Sequence, residues 1–262
     1  MRKAARLHDL LGFTRWTAVS FCLVVAMAGA DLNAAGRNWV ATNYGMFGGY
    51  VQDVLADSAS SQTLYAATSG GVYKSVNGGG SWAVANNGIP TNFIVSLAQH
   101  ASAPQTVYAG TNSQGVFKST NGGGSWVATG AGLTGASVYV IAIDPGTPQT
   151  LYAGTSQSGV FKSTNGGTAW PPVNTGLVLG EIRSIAIDPS NPQTVYAGIT
   201  GFGVYKSTNG GDQWTLASEG ITNKTIVDVV LDPSTPQTLY AAAYGSDVGV
   251  YKSTDGGANW VG

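Results

Sequence analysis

Cysteine occurs once in the 262 residues, at Cys22, and charged side chains make up only 10% of the chain. An average soluble domain carries roughly 25% charge. One cysteine excludes a disulfide framework, so an exported fold of this composition is held by its packed core alone. Histidine is almost as scarce, limited to His8 and His100. A His/Cys metal cluster or a Ser-His-Asp triad therefore lacks its parts, and neither a metal nor a cofactor is expected. The net charge of −1 and the lack of a basic patch argue against a nucleic-acid partner. No segment sustains a helical period. Low charge does not mean disorder here, because aromatic and β-branched residues are plentiful and regularly placed.

The N-terminus predicts an export signal over residues 1–30. Arg2, Lys3, Arg6 and Arg15 precede the apolar run Thr17–Ala30, which ends in the small-x-small site Ala28-Gly29-Ala30. That run is shorter than the roughly 20 residues that span a bilayer. The alternative is an uncleaved anchor. Cys22 lies within the run without the small residues that precede a lipidated cysteine. Cleavage would leave no stable membrane insertion, a short leader over 31–38 and a domain over 39–262, secreted or periplasmic in a bacterium.

What the chain has instead is a repeat. Glycine is abundant at 38 residues, and Trp39, Trp82, Trp126, Trp170, Trp214 and Trp260 stand 43, 44, 44, 44 and 46 residues apart. A fixed period of this length decides the fold. Each unit holds four β-type runs: a strand A such as Ile185-Ala186-Ile187, a strand B such as TVYAG, a strand C such as GVYKS, and a strand D opening at the tryptophan. Connections such as DPSNPQ are too short for a crossover helix. The expectation is an all-β chain of four-stranded antiparallel blades, a β-propeller. Five A–B–C sets against six tryptophans favour five blades, with Trp39 helping to close the ring. The alternative is part of a six- or seven-bladed array.

The turn before each tryptophan carries the clearest motif. Its repeated positions are Ser75, Asn77, Gly79 and Trp82, then Ser119, Asn121, Gly123 and Trp126. The third and fourth copies are Ser163, Asn165, Gly167 and Trp170, and Ser207, Asn209, Gly211 and Trp214. The fifth is Ser253, Asp255, Gly257 and Trp260. These turns resemble the Asp-box, or bacterial neuraminidase repeat, of sialidase, sortilin, xyloglucanase and photosystem II assembly-factor propellers. Four copies carry Asn where that family prefers Asp, which costs little because both side chains fold back onto nearby N–H groups. The boxes read as structural.

Loops on the opposite face vary between units, and specialised chemistry is expected there. Candidate ligand contacts are Tyr44, Phe47, Tyr50, Phe93, Tyr139, Glu181, Arg183, Phe202 and Tyr244, suited to a protein or polysaccharide partner. One strand A position reads Asp53, Ser96, Val140, Ser184 and Asp228. Asp53 and Asp228 are the only plausible acidic pair for catalysis. The resemblance to sialidases implies three substrate-binding arginines, yet beyond residue 30 only Arg37 and Arg183 exist. The leading expectation is an exported, non-catalytic binding or scaffold propeller. The alternatives are a xyloglucanase-like glycoside hydrolase, or a fragment of one, and a lectin-like sugar binder using pockets between blades.

Overall fold

The computed structural model describes residues 41–46, 49–90, 93–245 and 249–262. The export segment, the leader, Cys22, Arg37, Trp39 and Phe47 lie outside the described residues. Among the described residues, eighteen strands form five antiparallel sheets in chain order. The first holds β1 (Val51–Ala56), β2 (Leu64–Thr68), β3 (Gly71–Ser75) and β4 (Ala83–Val84). The second holds β5 (Ile94–Gln99), β6 (Val107–Thr111), β7 (Val116–Ser119) and β8 (Val127–Ala128), and the third β9 (Val138–Ile143), β10 (Leu151–Thr155) and β11 (Val160–Ser163). The fourth holds β12 (Ile182–Ile187), β13 (Val195–Ile199), β14 (Gly203–Ser207) and β15 (Thr215–Leu216), and the fifth β16 (Ile226–Leu231), β17 (Leu239–Ala243) and β18 (Gly249–Ser253).

Strand D begins one residue after the tryptophan and is short. In the third blade it shrinks to a single bridge, Phe161 to Pro172, because Pro171 and Pro172 have no N–H to give the ladder. The fifth blade likewise has one bridge, Lys252 to Val261.

Each blade has two apolar faces, and the core consists of the joints between them. Tyr65, Ala67 and Val72 of the first blade share a buried cluster with Ile94, Leu97, Val107 and Phe117 of the second. The same pattern joins blades two and three, three and four, and four and five. Alternation along strand B produces this arrangement, since Tyr65 and Ala67 point one way and Ala66 the other.

Polar bonds fix the register of every joint. The carbonyl of Gly122 accepts from Tyr65 Oη at 3.1 Å and from Lys74 Nζ at 2.8 Å. Tyr108 and Lys118 do the same to Gly166, Tyr152 and Lys162 to Gly210, and Tyr196 and Lys206 to Gly256. Burial, with a smaller push from Asp57, drives the Tyr65 phenol up to about 12, so it stays a neutral donor. Three indoles then donate back to the residue that follows strand D, or its equivalent, in the preceding blade: Trp126 Nε1 to the Ala85 carbonyl, Trp214 to Val173 and Trp260 to Ala217, at 2.7 to 2.9 Å. Trp170 reaches Thr129 at 3.2 Å.

The turns themselves are built as a structural reading requires. Ser119 Oγ donates to Asn121 Oδ1 and accepts from Gly123 N–H, while Asn121 Oδ1 also accepts from Ser125 N–H. Gly122 and Gly123 take φ of 63° and 83°, which a side chain would resist. Asp255 makes the same bonds with one oxygen and adds Asn259 Nδ2 with the other. Those bonds, Asn259's side chain foremost, hold the Asp255 carboxyl down at about 2. Asn and Asp are interchangeable here because one side-chain oxygen does the work common to all five.

Five blades are present, and among the described residues the ring stops short of closure. The far faces of blades two to four are covered by the next blade, whereas Tyr240 and Val250 on the fifth are exposed. Trp170 is almost fully buried between blades two and three. Trp170→Ala is expected to cost about 3–5 kcal/mol in chemical denaturation, as a buried aromatic truncation. An unchanged midpoint would contradict this placement of the indole.

Candidate functional site

A β-bulge in strand A shapes the end of each blade that carries the variable loops. Pairing skips one residue between Val51 and Asp53, Ile94 and Ser96, Val138 and Val140, Ile182 and Ser184, and Ile226 and Asp228. The bulged residues are Gln52, Val95, Tyr139, Arg183 and Val227. A bulge re-aims the side chain it carries and frees a backbone group from the ladder. Tyr139 and Arg183 therefore stand at equivalent places on adjacent blades.

They meet there. The Arg183 guanidinium lies 4.4 Å from the centroid of the Tyr139 ring. Glu181 holds it in place, with Oε2 accepting from Nη2 at 3.0 Å and from Nε at 3.2 Å. The Glu181–Arg183 ion pair orients a cation between two blades. The Glu181 carbonyl accepts the Thr200 N–H, tying the D–A loop to the B–C loop. The Phe202 ring packs over Gly180, where an added Cβ would come within 3.2 Å of it. Tyr139, Glu181, Arg183 and Phe202 form one patch across the third and fourth blades.

The other candidates are distributed around the arc. Tyr50 and Tyr244 are exposed, and each backbone is stitched to the partner loop of its own blade: the Tyr50 carbonyl takes the Ser69 N–H, and the Tyr244 N–H reaches the Thr225 carbonyl. Phe93 is half-buried, and its carbonyl takes the Asn112 N–H. Tyr44 is exposed, but its carbonyl accepts the Trp82 N–H, so its backbone belongs to an inter-blade joint.

The first half of every D–A loop shares that role. Gly88, at φ 95°, would bring a Cβ within 2.2 Å of the Trp126 carbonyl, and Gly132, Gly176 and Gly220 repeat the approach to the next tryptophan. Ile89, Leu133, Leu177 and Ile221 follow these glycines and are buried. Only the second half of each loop is free of this packing. The recurring Gly-apolar pair inside otherwise divergent loops was the signal for that division.

The two channel carboxylates serve the joints as well. Asp53 Oδ2 accepts the Leu97 N–H of the next blade at 2.8 Å. Ser184 Oγ accepts the Val229 N–H at 3.0 Å and donates to Asp228 Oδ1 at 2.8 Å. In both joints the polar residue of one strand A takes an N–H that lies just past the bulge of the next. Ser96 Oγ, at the same position, is buried with no partner, and Val140 offers none. Burial foremost raises the Asp53 carboxyl above the ordinary range, against bonds from Leu97 and Val54, and the nearby charge of Asp228 adds to the rise.

His100 occupies an A–B turn. Its Nδ1 takes the Ser102 N–H, the part Asp144, Asp188 and Asp232 play elsewhere, and its Nε2 lies 3.0 Å from the Pro145 carbonyl. Two grooves of about 270 and 470 Å³ open between blades beside the Gly-Gly turns, one at Lys206 and Gly257, the other at Lys74 and Gly123. The smaller groove also reaches Glu219 and Lys224 of a D–A loop, and neither groove is lined by Tyr139 or Arg183. No group of three or more His, Cys, Asp or Glu residues suited to a metal is found among the described residues.

No protein-family model matches the chain, and no curated protein matches it. Solved structures do. An ancestral GH74 enzyme is similar at 29% identity over 87% of this chain, with a TM-score of 0.72. The GH74 xyloglucanase from Xanthomonas campestris is similar at 19% identity over 80%, TM-score 0.67, and YCF48 bound to D1 peptide at 19% over 76%, TM-score 0.53. The fold is a β-propeller fold. This chain spans 32% and 38% of the two GH74 chains and 63% of the YCF48 chain.

The raised carboxyl sets a pH signature. A carboxyl whose folded pKa lies above its unfolded value favours the fold when protonated, and that contribution is lost as pH rises through the folded value. Asp53→Asn keeps an acceptor for the Leu97 N–H and removes the titration. The variant is expected to be at least as stable as wild type at pH 7, with a flatter stability profile from pH 4 to 7 in thermal melts. A destabilised variant with an unchanged slope would contradict this account of Asp53.

Proposed function

We propose that the protein is an exported, non-catalytic β-propeller that binds a protein or glycan ligand over the loop end of the third and fourth blades. The observation that carries this reading is the Tyr139–Arg183 stack. A guanidinium held on an aromatic face by Glu181, beside the exposed ring of Phe202, is a pre-organised anchor of the kind that concentrates binding energy. A protein segment suits it best, because the patch is open and pairs a fixed cation with flat apolar surface.

The remaining machinery supports binding over chemistry. Asp53 and Asp228 have oxygens committed to backbone and hydroxyl donors of the joints. The fold does not choose by itself, since it hosts enzymes and peptide binders among its neighbours. The repeated turns are read as Asp-boxes with a structural role.

The second reading is a xyloglucanase-like hydrolase, favoured by the 29% identity to an ancestral GH74 enzyme. Peptide and glycan panels separate the two. Arg183→Ala and Tyr139→Ala are each expected to weaken the bound panel member at least tenfold, about 1.4 kcal/mol, with melting unchanged. Release of reducing ends from a glucan, abolished by Asp228→Asn, would establish the enzyme reading instead. Equal affinity in wild type and both variants would remove the patch from the function.

A further inference from the structure

We propose that Asn87 is a self-modification site of the folded protein. With water as the second reactant it cyclises onto Gly88, releases ammonia and becomes aspartate or isoaspartate, while the Asn-Gly pairs of the C–D turns are shielded. Asn-Gly is the dipeptide most prone to this reaction, because glycine places no side chain beside the attacking nitrogen. The chain holds such pairs at Asn77, Asn87, Asn121, Asn165 and Asn209. The fold treats one of them differently.

In the turns both reacting groups are occupied. Asn121 Oδ1 accepts from Ser119 Oγ and the Ser125 N–H, and its Nδ2 donates to Ser125 Oγ. The Gly122 N–H, which must lose its proton before the nitrogen attacks, donates to the Gln105 carbonyl at 2.8 Å. Asn77, Asn165 and Asn209 are held through Oδ1 in the same way. Gly78, Gly166 and Gly210 likewise donate to Gln62, Gln149 and Gln193. Cyclisation there waits for the turn to open.

Asn87 has none of this. It is half-buried and Gly88 is exposed, and among the described residues neither the Asn87 side chain nor the Gly88 N–H has a hydrogen-bond partner. Asn87 lines the groove of about 470 Å³ together with Asn121 and Gly122, so both pairs meet the same water. Tyr44, Ala131, Thr175 and Glu219 hold the equivalent place elsewhere and carry no side-chain amide.

The deprotonated Gly88 nitrogen bonds to Asn87 Cγ, the Cγ–Nδ2 bond breaks, and ammonia takes up the proton. Water then opens the imide ring. Attack at Cγ leaves an aspartate in an ordinary backbone; attack at the main-chain carbonyl carbon leaves an isoaspartate, whose backbone is one methylene longer. That second product strikes the joint between the first two blades. The Asn87 carbonyl accepts the Trp126 N–H at 2.8 Å, Gly88 is pressed against the Trp126 carbonyl, and Ile89 is buried with the Trp126 ring. A lengthened loop cannot keep all three contacts.

Incubation of the intact folded chain at mildly alkaline pH, followed by fragmentation mass spectrometry, tests the inference. Cleavage at Lys74 and Lys118 yields one peptide that contains both Asn77 and Asn87. In the folded chain Asn87 is expected to gain one mass unit at least about tenfold faster than Asn77, and in urea the two rates are expected to converge. Equal rates in the folded chain, or an Asn87 that reacts only in urea, would overturn the proposal, and this comparison needs no variant. Aged wild type is expected to melt lower as isoaspartate accumulates, while Asn87→Gln, aged alongside, keeps its midpoint. A wild-type midpoint that holds steady as isoaspartate builds up would overturn the link to the joint.

Discussion

In four of the five C–D turns one glycine carbonyl accepts a phenol and an ammonium from the blade before it, and the rest of the architecture depends on that contact. The bond requires a tight turn, which requires Gly-Gly at positive φ, which in turn is fixed by a serine and an Asn or Asp folding back on the loop. The indole closes the same joint from the other side by donating to the carbonyl that follows strand D of the earlier blade. A polar turn and an apolar sheet face are therefore two parts of one fastening. Burial makes it strong, because a phenol left unpaired in that place would forfeit its hydrogen bond in a low-dielectric setting.

This constraint explains what is free to vary. Residues up to the Gly-apolar pair of each D–A loop are held over the next tryptophan, so divergence is confined to the loop ends and to the bulged residue of strand A. The bulge does two jobs. It turns Tyr139 and Arg183 out of the ladder toward each other, and it releases an N–H that Asp53 or Ser184 of the neighbouring blade accepts. Asp53 and Ser184 thereby tie neighbouring blades together, while Tyr139 and Arg183 stack on each other at the bulge.

Much of the fold was legible in the chain because the repeat is read directly from tryptophan spacing, and period-two alternation names both faces of each strand. The candidate patch was legible only in part. Tyr139, Glu181, Arg183 and Phe202 stood out as divergent residues between repeats, but their meeting depends on a bulge that leaves no mark in alternation over so short a strand. Asp53 and Asp228 stood out as a column of acidic positions, but a column shows position and not partners, so their bonds to the Leu97 N–H and the Ser184 hydroxyl were not legible. The divided D–A loop escaped notice because Gly88 and its equivalents read as ordinary turn glycines until the tryptophan carbonyl beside them is seen.

The joint itself is best tested by one pair of matched substitutions. Tyr152→Phe removes the hydroxyl that reaches the Gly210 carbonyl inside a joint, and Tyr240→Phe removes its counterpart on the open face. Chemical denaturation is predicted to show a loss of about 1 kcal/mol at position 152 and none at 240. Equal losses at both positions, or no loss at 152, would contradict the account.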